Sequence, residues 1–164
     1  MPLSVDGRWG RFVQRIASSA WFGKVMPRIL PPVDRLLHRL TGGRVLISQL
    51  LVPTLVLTTT GRRSGEPRDV PLACVAEADD TFVVVGSNFG QAHHPAWTGN
   101  LLANADAVVS VGGKAEPVRA VLADGADREH LLEVLARVWP AYRTYQRRAA
   151  GRELRVFRLH PRDA

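Results

Sequence analysis

The sequence predicts an α+β fold built on a small β-barrel, and three observations carry that prediction. Six short runs of strand character follow Pro53, most are joined by turns of hairpin scale, and only two helical patterns lie among them. Short strands with tight turns favour antiparallel pairing. With so few helices to shield an open sheet, closure into a barrel is the economical way to remove exposed edges.

In residues 1–45, Arg8, Arg11, Arg15, Arg35 and Arg39 alternate with Trp9, Phe12, Ile16, Trp21 and Phe22. Trp9, Phe12 and Ile16 stand at helical spacing and share one face. This basic amphipathic arm is expected either to cover one side of the core or to rest on an anionic membrane surface. Pro27, Pro31 and Pro32 should break its pattern, with a further short helix over residues 33–40.

Residues 46–164 are expected to form the barrel domain. Strands are expected at 54–60, which is β-branched and stops at Gly61, at 68–76, which ends at the Asp79-Asp80 turn, and at 81–87. Residues 107–111, 115–123 and 153–160 supply three more, with Gly112-Gly113 as a tight hairpin signal. Helices are expected over 95–104, where Trp97 and Leu101 align, and over 127–139, where Leu131, Leu135 and Val138 share a face.

A chain of 164 residues with 46% hydrophobic content can bury one ordinary core, and 23% charged residues argue against general disorder. The formal charge of +7 comes almost wholly from arginine and calls for anionic partners without choosing among nucleic acid, acidic lipid and a small polyanion. The arginines are scattered and no reader motif appears, so nucleic acid is not expected. A single cysteine, Cys74 in a strand, excludes a disulfide framework and reads as a buried, inert thiol. No secretory pattern is visible, and the uncharged run between Arg44 and Arg62 is interrupted by Gln49 and Pro53, so a cytoplasmic location is expected.

Two stretches carry chemistry. Thr58-Thr59-Thr60-Gly61-Arg62-Arg63-Ser64-Gly65-Glu66-Pro67-Arg68 sets charge-assisted donors on a glycine-flanked turn. It reads as an anion cradle for phosphate or carboxylate, or else as an exposed hairpin with solvated arginines. It lacks the Gly-Lys-Ser/Thr element of a Walker loop. In the second stretch, 85–101, a strand is expected to end at Ser87, and a glycine-containing loop leads into a helix starting near Pro95. His93 and His94 invite a metal, but no Cys, Asp or Glu nearby completes a set, and none is expected.

The ordered pair TTTGRRSGEPRDVPL and VVVGSNFGQAHHPAWTGNLLANADAVVSVGG resembles the deazaflavin (F420)-dependent nitroreductase and quinone reductase family. That family carries a TTTGRKSG-x-PR-x-x-PL segment followed by HPxWYxNLxANP. The resemblance spans residues 54–160 and implies a split β-barrel like that of FMN-binding proteins, with coenzyme F420 lying in a groove. It places Arg62, Arg63, Ser64 and Arg68 on the cofactor's anionic tail and Val70 and Pro71 along the ring. Ser87 and Asn88 fall near the ring, and Trp97, Asn100 and Leu101 near the same groove. Here Arg63 stands in place of a common lysine, Ala73 in place of an aromatic, Phe89 in place of glycine and Thr98 in place of tyrosine.

Trp139-Pro140-Ala141-Tyr142-Arg143-Thr144-Tyr145 resembles the family's aromatic segment beside the substrate, and Tyr142 and Tyr145 could turn both rings to one cleft. The expected reaction is hydride transfer from reduced F420 to a quinone or nitroaromatic acceptor. Ser87, assisted by Tyr142 or Tyr145, would stabilise the negative charge that develops on the acceptor. Two alternatives stand beside this: a split-barrel protein using FMN or haem, and a non-catalytic carrier of deazaflavin or lipid.

Overall fold

A computed structural model of the chain describes residues 19–42, 52–149 and 151–162. Six strands close into an antiparallel barrel: β1 (Thr54–Thr60), β2 (Pro67–Ala76), β3 (Phe82–Val85), β4 (Asp106–Val111), β5 (Lys114–Leu122) and β6 (Val156–Pro161). Their order around the barrel is β1-β2-β3-β6-β5-β4, and β1 pairing with β4 closes the ring. The expected fold class is the observed one.

The two-residue period of each strand divides the core. One parity, including Leu55, Leu57, Val84, Val109, Val118, Phe157 and Leu159, fills the barrel. Trp97 and Leu101 of helix α2 (Ala96–Ala103) join it, with the Trp97 and Phe157 rings 5.7 Å apart. The other parity, including Val83, Val85 and Val156, packs outward against helices α3 (Gly125–Val138) and α4 (Ala141–Arg148). The β4–β5 hairpin turns through Gly112 and Gly113, both at positive φ, as a mirror-image two-residue turn requires.

Helix α1 (Ala20–Leu40) corrects the expected break, since it runs unbroken through Pro27, Pro31 and Pro32. Each proline removes its own N–H and crowds the carbonyl four residues earlier, and tertiary packing offsets that cost. Phe22 stacks edge-on to Phe89 at 6.1 Å, and Arg148 of α4 donates to the Ser19 carbonyl at the helix start. Ser19 caps that start by accepting from the Phe22 N–H. The amphipathic pattern from Trp9 to Ile16 lies outside the described residues, as does the proposed boundary at 45/46.

Three further differences from expectation bear on the site. β3 ends at Val85 rather than Ser87: Gly86 still donates to the Arg155 carbonyl, but Ser87 takes helical backbone angles and turns the chain out of the sheet. β6 begins at Val156 rather than Glu153. Pro140 stops α3 and begins α4, so the aromatic segment is a helix of its own.

Candidate active site

The basic turn is built from its glycines. Gly61 N–H donates to the Glu66 carbonyl and Gly65 N–H to the Gly61 carbonyl, at 2.8 and 2.7 Å. A Cβ on Gly61 would stand 2.6 Å from Ser64 Oγ, so only glycine lets the loop fold this tightly. Ser64 Oγ accepts from the Glu66 N–H and from Arg68 Nη2. Arg62, Arg63 and Arg68 are exposed, and none enters an ion pair among the described residues.

Asn100 ties this turn to α2. Its Oδ1 accepts from the Arg62 N–H at 3.2 Å and its Nδ2 donates to Thr59 Oγ1 at 3.0 Å. Next to it, Gly99 gives the Arg62 guanidinium a seat on the helix: a Cβ there would lie 1.7 Å from Nη1.

The second loop is held by more bonds. Ser87 leads into a 3-10 turn at Asn88–Gly90, in which Asn88, Phe89 and Gly90 all have positive φ. That conformation is costly for phenylalanine and persists only where surroundings enforce it. Here the Phe89 ring is wedged between Phe22 and Tyr145, and the Gly90 backbone presses so closely on Tyr145 that a Cβ would sit 2.9 Å away. Arg152 completes the restraint. Its guanidinium donates to the carbonyls of Gly86, Ser87 and Gln91 and contacts His94 Nδ1 at 3.2 Å.

The third wall is aromatic. Tyr142 and Tyr145 sit edge-to-face with centroids 6.0 Å apart, and both are buried. Burial raises the Tyr142 hydroxyl above the ordinary tyrosine range, with Tyr145 and Cys74 adding to it. Burial likewise pushes Tyr145 up to about 12, opposed by a hydrogen bond with Trp139 and by Arg148. Both hydroxyls therefore keep their protons near neutrality. Cys74 is also pushed up to about 12 by burial, as an inert thiol should be.

The three walls enclose one cleft of about 1080 Å³. Arg62, Arg63, Ser64 and Arg68 line one part of it, and Val70 and Pro71 continue the surface along β2. Ser87, Asn88, Trp97 and Asn100 line it from the loop and α2, and Tyr142 and Tyr145 from α4. Leu101 corrects its expected place: it is 3% exposed inside the barrel core and supports Trp97 from behind. Thr98 also points away from the cleft, its hydroxyl donating to the Pro95 carbonyl.

Sequence reasoning missed four contributors: Gly99, Arg152, Arg155 and the fully buried Asp34 of α1. Arg155 falls in a stretch read as plain strand and Arg152 just before it, where no motif marks an arginine that turns inward. Among the described residues no group of three His, Cys, Asp or Glu could hold a metal ion.

Fold and site together define a barrel protein whose cleft joins a glycine-built cationic turn to a wall of protonated tyrosines, suited to a large ligand with a ring and an anionic tail. The chain belongs to the F420H(2)-dependent quinone reductase family, whose model matches residues 34–161. It is similar to Rv3178 of Mycobacterium tuberculosis (strain ATCC 25618 / H37Rv), 38% identical over 89 residues, covering 54% of this chain and 68% of that protein. It is also similar to the F420H(2)-dependent quinone reductase Rv1261c of the same strain, 32% identical over 105 residues, covering 64% of this chain and 61% of that one. The solved structure of the F420-H2 dependent reductase FDR-A superposes with a TM-score of 0.60 at 35% identity, covering 66% of this chain and 94% of FDR-A.

Proposed function

We propose that this chain is an oxidoreductase that passes hydride from reduced F420 to a quinone or nitroaromatic-type acceptor. The observation that carries the reading is the single cleft that joins the basic turn to the tyrosine wall. The residues fit the cofactor: its tail needs cationic donors that are not already neutralised, and Arg62, Arg63 and Arg68 face the cleft without carboxylate partners among the described residues. When bound, reduced F420 supplies the hydride.

The chain's own residues then bind, orient and stabilise. Arg62, Arg63, Ser64 and Arg68 hold the anionic tail, while Val70, Pro71, Trp97, Asn100 and Asn88 border the ring. Ser87 lines the cleft from a loop that Arg152 keeps fixed, so its hydroxyl needs little rearrangement to meet charge on the acceptor oxygen. Tyr142 and Tyr145, both protonated, add donors of the same kind.

Helix α1 extends the reading to a bilayer. Ile29, Val33, Leu36 and Leu40 form an exposed apolar stripe at helical spacing, and Lys24, Arg28, Arg35 and Arg39 are exposed beside it. Among the described residues no helix is long and apolar enough to cross a membrane. A stripe of this kind instead suits the anionic inner face of the cell membrane, where a lipophilic quinone is dissolved.

The test is a titration with reduced F420 followed by single-turnover oxidation with menadione. Saturable binding and rapid oxidation are expected. Binding without turnover across quinones and nitroaromatics would make the protein a carrier, and absence of binding would end the reading.

A further inference from the structure

Two side chains that line the cleft, His94 and Arg155, take no part in the reading above. Arg155 lines the cleft, and its Nη1 donates to Thr98 Oγ1 at 3.1 Å, which holds the guanidinium against the first turn of α2. His94, two residues before that helix, lines the same surface. Arginine offers only donors, so the 3.2 Å contact from Arg152 Nη1 makes His94 Nδ1 the acceptor and leaves the ring proton on Nε2. The imidazole is thereby fixed as a neutral donor.

Neither Arg152 nor Arg155 enters an ion pair among the described residues. Arg152 is spent on three backbone carbonyls and His94, so it contributes field rather than a free donor. Arg155 spends one contact on Thr98 and keeps the rest of its fork for the cleft. The same crowding of positive charge, after burial, holds His94 below the ordinary histidine range. Two guanidiniums brought together without a carboxylate repel each other, and a bound anion offsets that repulsion.

We propose that Arg155 and the Nε2–H of His94 form a second anion subsite at the start of α2, separate from the Gly61–Arg68 turn and selective for a phosphate or carboxylate group. Its ligand is an anionic group of either the cofactor or the acceptor. The cofactor source rests on the F420 reading, whereas the subsite itself rests on the cluster alone. The arrangement differs from the basic turn in kind. There the arginines are exposed and adaptable, while here the donor directions are set by Thr98 and Arg152 before any ligand arrives.

Inorganic phosphate is the first probe, followed through the His94 imidazole resonances of the full-length protein. Phosphate should shift them saturably in the parent and in an Arg62→Ala/Arg63→Ala variant, but not in Arg155→Gln, which keeps a donor for Thr98 and removes the charge. No response in the parent, or loss of the response in the Arg62→Ala/Arg63→Ala variant, would overturn the subsite. This arm needs no cofactor, so a parent that fails to bind F420 sinks the proposed function without touching it.

The second arm identifies the source by comparing F420 with the deazaflavin riboside that lacks phosphate and glutamates. If Arg155→Gln weakens F420 by about tenfold, the scale of one charge-assisted hydrogen bond, and leaves the riboside unchanged, the anion is the cofactor's. If both deazaflavins bind as in the parent but KM rises for a carboxylated quinone and not for menadione, the anion is the acceptor's. Equal weakening of F420 and riboside, or no change in any of these, would overturn the proposal.

Discussion

The turn at Gly61–Arg68 and the loop from Gly86 to Pro95 border the same cleft, yet they use arginine in opposite directions. In the turn, Arg62, Arg63 and Arg68 are exposed, Arg62 seated against Gly99, and among the described residues the one side-chain hydrogen bond from their guanidiniums is the 3.4 Å contact from Arg68 to Ser64. In the loop, Arg152 points inward and ties down three carbonyls and an imidazole. The first arrangement leaves charge available to a ligand, and the second converts charge into rigidity. A cofactor tail tolerates an adaptable clamp, because only affinity depends on it. A donor to a developing oxyanion does not, since its worth depends on being aimed beforehand.

The sharpest way to break that distinction is at Ser87. If the fixed loop serves the reacting end, Ser87→Ala should lower kcat by roughly ten- to a thousandfold while cofactor affinity changes little. Single-turnover hydride transfer at saturating acceptor and reduced F420 decides it. A parental rate would remove Ser87 from the mechanism, and a proportionate loss of affinity would move it into the binding group. Because Tyr145 is pushed up to about 12, the same rate measured from pH 7 to 10 should show no decline from tyrosine ionisation. A falling limb near pH 10 would mean that a solvated phenol is responsible.

The turn should answer to affinity and to salt. Arg62→Ala/Arg63→Ala is expected to weaken F420 binding by about ten- to a hundredfold at low ionic strength. The loss should shrink at high salt, where screening already reduces the contribution. Hydride transfer in the residual complex should stay close to parental. Unchanged affinity at low salt would return these arginines to the solvated-hairpin reading.

What the sequence made legible follows from what each feature costs to hide. The barrel was readable because a half-buried strand must alternate and a tight turn must carry residues that accept positive φ, as Gly112-Gly113 and Asp79-Asp80 do. Most of the proposed site residues sit in the two motif stretches, and the structure brings nearly all of them to one cleft. The unbroken α1 was not legible, because three prolines outweigh any local preference and the helix is held by tertiary contacts, among them those with β2, Phe89 and α4. Leu101, placed near the groove by the family resemblance alone, faces the barrel core instead, because a shared motif does not say which of two surfaces each side chain meets. Arg152 escaped because its partners are backbone carbonyls, which leave no pattern in side-chain chemistry.

Gly99 escaped for a related reason, since its contribution is the absence of a side chain, and it supplies the smallest and most discriminating test. In Gly99→Ala the new Cβ would stand 1.7 Å from Arg62 Nη1 and 2.9 Å from Cζ, while no backbone atom lies within 4 Å among its three nearest neighbours. The clash therefore falls on the far end of a flexible side chain, and the guanidinium moves rather than the helix. Within a helix, alanine is also favoured over glycine by about 0.5–1 kcal/mol. Thermal stability should hold or rise slightly, whereas F420 affinity should fall a few-fold, less than on deleting the arginine, because the displaced charge remains nearby. Combining Gly99→Ala with Arg62→Ala should add no further loss, since the glycine acts only through that arginine. Additive losses would show that Gly99 gives the ligand itself room to approach α2, and an unchanged affinity in the single variant would show that Arg62 binds equally well away from its seat on the helix.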